Sequence, residues 1–123
     1  MKENKIKIIK IEPNQKPVVK EIDNNLDNLQ AEVGGLIQCV YLEDGNIAVI
    51  NDEGKINGSE PNRWIADDII CGPFFICGDD GEDFASLSEQ DLDKYKEEFD
   101  QVPEFTGEEQ ELEPHIEVWG FNW

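Results

Sequence analysis

The sequence is short of the residues that carry chemistry. It holds a single histidine, His115, placed between Pro114 and Ile116 in an acidic stretch, so any Cys–His or Ser–His pair would have to use it. Ser86 and Ser88 stand in no nucleophile-elbow pattern, there is no phosphate-binding Walker loop, and Gly34-Gly35 lacks the spacing of a dinucleotide turn. No positioned acid, base or nucleophile emerges, so the chain reads as non-enzymatic, with no catalytic residues and no cofactor.

Cysteine is scarce too. Cys39, Cys71 and Cys77 form an odd set without a close CxxC pair, which argues against a disulfide framework and against a zinc site. All three lie in apolar runs and read as buried free thiols. No apolar run approaches the length of a membrane span, and Met1 to Lys10 is charged with no apolar core or cleavage site behind it. The expectation is a cytoplasmic protein that does not meet a membrane.

Positive charge is the most telling shortage. Ten Lys and Arg face 29 Asp and Glu, a net charge of -19, and six of the ten (Lys2, Lys5, Lys7, Lys10, Lys16, Lys20) precede residue 21. Self-repulsion of this size opposes compaction. It serves either solubility alone or a cationic partner, such as a nucleic-acid-binding protein whose basic groove this surface would fill in place of DNA.

What is present organises around Ile70-Cys71-Gly72-Pro73-Phe74-Phe75-Ile76-Cys77-Gly78, the most apolar stretch in the chain. Its aromatic and β-branched residues between glycines read as a central strand buried on both faces. Lys5 to Ile11 alternates cation and isoleucine, as a half-buried strand does, and its lysines suit an edge. After a turn at Pro13 to Pro17, Ile22, Leu26, Leu29 and Val33 recur at helical spacing, with caps among Asp23 to Asn25 and a stop at Gly34-Gly35. Leu36 to Leu42 and Ile47 to Ile50 read as strands joined by a hairpin at Asp44-Gly45-Asn46, with Lys55-Ile56 as a short third piece. An irregular or short helical crossing follows from Ser59 through Arg63, Trp64 and Ile65; the Arg63–Trp64 pair is either a cover at the core edge or a partner site.

Directly after the central strand come Asp79, Asp80, Glu82 and Asp83. These are hard oxygen donors in a glycine-containing turn, but their spacing misses the alternation of an EF-hand loop, so no metal site is assigned. Ser88 with Asp91 three residues on marks a helix start, and Leu87 can staple to Leu92. Leu92, Tyr95 and Phe99 then line one helix face while Glu89, Asp93, Lys96, Glu97 and Asp100 line the other. Beyond Pro103 the chain carries Glu104, Glu108, Glu109, Glu111, Glu113 and Glu117 with no cation, and ends on Trp119, Phe121 and Trp123. This tail is either a solvated interaction segment or, through Ile116 and Val118, a last strand.

The expected architecture is α+β: an antiparallel sheet of about five strands with two helices on one face, one domain over 1–103, and an acidic, aromatic-ended extension over 104–123. Val33-Gly34-Gly35, Asn51-Asp52-Glu53-Gly54-Lys55, Pro61-Asn62-Arg63, Ile70 to Ile76 and Phe84-Ala85-Ser86-Leu87-Ser88 together resemble a small bacterial family of unknown function, over about residues 30 to 100. The resemblance implies a setting on conjugative elements and phages, often beside antirestriction genes, and brings no catalytic residues.

Charge and resemblance together lead to one expectation: an acidic protein of a mobile element that binds and inhibits a basic nucleic-acid-handling host defence protein, such as a CRISPR or restriction nuclease, with DNA mimicry as its mode. Its partner-binding carboxylates would be Asp79, Asp80, Glu82, Asp83, Glu89, Asp93, Glu97, Asp100, Glu108, Glu109 and Glu111. Its aromatic contacts would be Trp119, Phe121 and Trp123. Direct nucleic-acid binding is not expected. The alternative is a small accessory interaction module whose acidity serves only solubility.

Overall fold

The computed structural model describes residues 5–54, 59–65 and 68–103. In chain order the elements are β1 (Lys5–Ile11), β2 (Val18–Asp23), α1 (Leu26–Val33), β3 (Ile37–Tyr41), β4 (Ile47–Asn51), β5 (Pro61–Ile65), β6 (Asp68–Cys71), β7 (Phe74–Asp79), β8 (Phe84–Ala85) and α2 (Glu89–Glu98). The main sheet runs β2-β1-β7-β4-β3, with β8 paired to the end of β7, and every pairing is antiparallel. β5 and β6 form a separate two-stranded sheet. The chain is therefore α+β with two helices on an antiparallel sheet.

β7 is central because it is apolar on both sides. Phe74 and Ile76 point to one face, Phe75 and Cys77 to the other, and all four are fully buried. Each face needs its own cover, and each receives one helix. Phe74, Ile76, Ile9, Ile11, Ala48 and Ile50 pack under Leu92, Tyr95 and Phe99 of α2. Phe75, Cys77, Ile6, Ile8, Ile47 and Val49 pack under Leu29 and Val33 of α1. The helices thus lie on opposite faces, not together on one face as the sequence pattern suggests, because a one-sided arrangement would leave Phe75 and its neighbours in water.

Local signals placed both helices. Asn25 caps α1 by accepting from the Asn28 N–H at 2.9 Å, and the helix stops at Gly34, whose φ of 81° suits a residue without Cβ. Ser88 caps α2, its Oγ accepting from Asp91 N–H. Leu87 and Leu92 are both buried in the same cluster, as the staple requires. The Asp91 carboxylate, however, accepts from Asn46 Nδ2 at 3.0 Å, tying the helix to the β3–β4 hairpin.

Four further differences from expectation have physical reasons. Val18–Asp23 is a strand, and Ile22 belongs to it, opposite Ile6, not to α1. β2 closes one edge of the sheet, so β1 with its lysines is an inner strand. Pro61–Ile65 is β5, not an irregular or helical crossing, and it pairs with β6. The apolar stretch at 70–78 is broken at Gly72-Pro73 into the end of β6 and the start of β7. Lys55-Ile56 lies outside the described residues. Where β6 passes the β4 turn, a Cβ on Gly54 would come within 2.5 Å of the Cys71 carbonyl, so the backbones can meet only at glycine.

Candidate functional site

The sequence-predicted carboxylates fall into a turn and a helix face. The turn joins β7 to β8, and three residues after β8 the chain enters α2 at its Ser88 cap, so turn and helix follow one another from one end of the sheet. Asp79, Asp80 and Glu82 are exposed and Asp83 is half-buried. Much of the turn's acidity is used locally. Asp79 Oδ1 accepts from Gly81 N–H at 2.9 Å, Asp80 Oδ1 from Glu82 and Asp83 N–H at 2.9 and 2.8 Å, and Asp83 Oδ1 from Phe84 N–H at 2.9 Å. The amides of Glu82 and Asp83 hold the Asp80 carboxyl below its ordinary value. Among the described residues, no group of three or more His, Cys, Asp or Glu is arranged to hold a metal ion.

Glu89, Asp93 and Glu97 of α2, and Asp100 just past its end, all face solvent. Asp93 lies 3.8 Å from Lys96, and Asp100 lies 3.2 Å from Lys16 of the β1–β2 loop. Glu89 and Glu97 make no ion pair among the described residues. The helix is anchored firmly beneath this face. Phe99 meets Phe74 edge-on with ring centroids 6.0 Å apart. Asp44 of the hairpin accepts from Lys94 and from the Tyr95 hydroxyl. Although burial acts to raise the Asp44 carboxyl, these donors bring it well below the carboxylate range, while burial and then the Asp44 bond push Tyr95 up to about 12.

Three of the four lysines of β1 and β2 are consumed in the fold, Lys7 being the exception among the described residues. Lys5 pairs with Asp23 at 2.7 Å, and Lys10 and Lys20 both reach Glu32 of α1 at 2.8 Å. The unbalanced carboxylates elsewhere therefore set the character of the surface. All three cysteines are free thiols; Cys71 and Cys77 are buried as expected but Cys39 is only half-buried, and burial raises Cys39 and drives Cys77 far above the thiol range.

Arg63 and Trp64 separate in role. The register of β5 against β6 shifts between Pro61 and Arg63, so the consecutive residues Asn62 and Arg63 are both buried and Trp64 turns outward. The Arg63 guanidinium donates to the Phe99 carbonyl from Nε and Nη2 (3.3 and 3.1 Å), to Gln15 O (2.6 Å), and to Asn62 O and Oδ1 (3.1 and 3.0 Å). A cation there answers the negative end of the α2 dipole. Trp64 remains 44 % exposed and Tyr41 68 % exposed. Both line a groove of about 460 Å³ along the end of α2. Nothing local marks Tyr41 in the sequence; the only cue to Trp64 is the Arg-Trp pair.

Glu108, Glu109, Glu111, Trp119, Phe121 and Trp123 lie outside the described residues. No helix among the described residues is long and apolar enough to cross a membrane. No curated protein and no solved structure matches the chain. One family model, described as Domain of unknown function (DUF3846), matches residues 6–100 and so takes in everything from β1 through α2.

Proposed function

We propose that this chain, which belongs to the DUF3846 family, is a non-enzymatic acidic protein of a mobile element that binds and inhibits a basic nucleic-acid-handling defence protein of the CRISPR or restriction type. The observation that supports this is the outward carboxylate face of α2 on a helix pinned from below. Over α2 itself, five carboxylates (Glu89, Asp91, Asp93, Glu97, Glu98) stand against Lys94 and Lys96, leaving a net of three negative charges, while Asp100 just past its end is paired with Lys16. At helical rise the ten residues of α2 span about 15 Å, or one net charge per roughly 5 Å. One DNA strand presents a phosphate about every 3.4 Å, and the duplex is about twice as dense. The helix thus carries about two thirds of the charge density of a single strand. The turn at 79–83 adds exposed carboxylates, and the acceptor oxygens its own backbone does not use suit Arg and Lys in a basic cleft.

The alternative, acidity that serves only solubility, is favoured by the turn carboxylates whose oxygens are bound to their own backbone. Capture from host lysate on the tagged full chain, washed at low and then high salt, separates the two. A basic nuclease held at low salt and released at high salt is the expected result. Its cleavage reaction is then assayed with Asp93→Lys/Glu97→Lys, which is expected to lose inhibition by about tenfold or more while folding normally. Undiminished inhibition by that variant removes the helix as the contact surface, and capture of nothing basic leaves the solubility reading.

A further inference from the structure

The acidic line ends beside an aromatic surface that it does not explain. Trp64 stands outward from β5 at 44 % exposure, Tyr41 at the end of β3 at 68 %, and Val102 just past α2 at 38 %. Large apolar side chains scattered singly would need no explanation, but these line two adjoining grooves of about 460 and 490 Å³. Trp64, Glu98 and Phe99 belong to both grooves and form the wall between them. Both grooves are open to solvent, a shape suited to a chain segment more than to a small molecule.

The charge at this wall selects the segment. Glu43 and Glu98 are exposed and make no ion pair among the described residues, while Lys94 is already engaged with Asp44. Arg63 is buried and spends its donors on backbone and Asn62 oxygens. The free charge in the grooves is therefore negative, and Glu98 shares both groove linings with the exposed Trp64 indole. That combination recognises a guanidinium, by stacking over the ring and a forked hydrogen bond to a carboxylate. It disfavours occupation by an acidic segment.

We propose that the paired grooves divided by Trp64 are a docking site for an arginine-bearing, partly apolar segment of a partner protein, with an arginine seated between Trp64 and Glu98. The site rests on the reading of a basic partner given above and names where that partner is anchored. It supplies what an exposed charged helix lacks, a desolvated aromatic contact at one end of the electrostatic track.

The test uses the nitrogen-labelled full chain and a short synthetic peptide of alternating Arg and Leu, with the Glu–Leu peptide as control, at low salt. The Arg–Leu peptide is expected to shift the Trp64 indole N–H in a saturable way, and the control is not. Trp64→Ala should weaken binding about tenfold or more, and Glu43→Gln/Glu98→Gln, which leaves the aromatic wall intact, by about three- to tenfold. Asp93→Lys/Glu97→Lys, which changes the surrounding charge but no residue of the wall, should weaken binding less than Trp64→Ala does when both are measured at about 0.15 M salt, where the Debye length is about 8 Å. The site is overturned if Trp64→Ala binds like wild type, or if other resonances move and the Trp64 indole does not. It is equally overturned if, without peptide, that indole shifts on dilution, which puts a second copy in the groove. A shift of the indole on Trp119→Ala/Trp123→Ala would put the chain's own end there and overturn the site as well. Loss of nuclease inhibition in Asp93→Lys/Glu97→Lys alongside a silent Trp64 would leave the acidic-surface reading standing and remove only the groove.

Discussion

The two helices carry acid in opposite ways. In α1 the carboxylate of Glu32 is turned toward the sheet, 12 % exposed, between Lys10 of β1 and Lys20 of β2. In α2 Glu89 and Glu97 are turned away from the sheet, and neither has a cation among the described residues. The same residue type therefore holds the fold together on one face and is left over on the other. A charge count over the sequence cannot tell these apart, whereas position relative to the sheet does. Among the described residues, unpaired outward carboxylates are more numerous on α2, with Glu89, Glu97 and Glu98, than on α1, where Asp27 is the one carboxylate that faces solvent.

The comparison breaks most severely at β7, where neighbouring phenylalanines serve the two helices. Phe74→Ala and Phe75→Ala should each cost about 3–5 kcal/mol in urea denaturation, since each empties a fully buried site under a different helix. A much smaller loss for Phe75→Ala would show that the α1 face is loosely packed and that the helices are not equivalent covers.

Arg63 comes next, because it binds the α2 end to β5 and to the β1–β2 loop. Arg63→Met keeps much of the volume but strands the Phe99 and Gln15 carbonyls, and a loss of about 2 kcal/mol is expected after the regained desolvation of the charge is allowed for. Arg63→Lys should recover little of it, as a single ammonium cannot span the same oxygens. Full recovery by lysine would reduce the role of Arg63 to charge alone.

Charge removal sharpens the contrast with the smallest effects. Glu32→Gln should destabilise by about 1 kcal/mol, and Glu97→Gln by less than about 0.5 kcal/mol. Acid titration of stability follows the same division. Burial acts to raise the Glu32 carboxyl, but hydrogen bonds from Lys10 and Lys20 outweigh it and bring the group below its ordinary 4.5. Its stabilisation is therefore full above that value and falls away as pH drops through the lower folded value. Asp44 beneath α2 behaves alike. Tyr95 adds an alkaline limit, because its raised value means stability is lost as pH rises from about 10 toward about 12. Tyr95→Phe should flatten the alkaline limb and leave the acid limb dependent on Glu32 and Asp44.

Most of the local structure is legible in the sequence. The caps at Asn25 and Ser88, the stop at Gly34, the Asp44-Gly45-Asn46 hairpin and the alternation in Lys5–Ile11 all act within a few residues of themselves. β2 is not legible because, as an edge strand, it buries only Ile22 and shows no alternating apolar pattern. Ile22 also happens to stand four residues before Leu26, which imitates a helical repeat. β5 is hidden by its bulge, which buries Asn62 and Arg63 in succession and defeats a period of two. The predicted acidic residues within the described chain are nearly all at the surface, yet which of them are already paired is invisible in the sequence. So is the groove, whose walls come from β3, β5 and α2.

The amino-acid sequence by itself determined where helices begin and end, where the chain turns, and that one strand must be covered on both sides. Those outcomes rest on sterics and hydrogen bonds between near neighbours and on the two-sided hydrophobicity of Phe74 to Cys77. Only the tertiary structure decided which helix covers which face, that Arg63 closes the end of a helix 36 residues away, and that Glu32 is bound while Glu97 is free. Each of these depends on a contact between residues far apart in the chain, whose energy exists only once the sheet has brought them together.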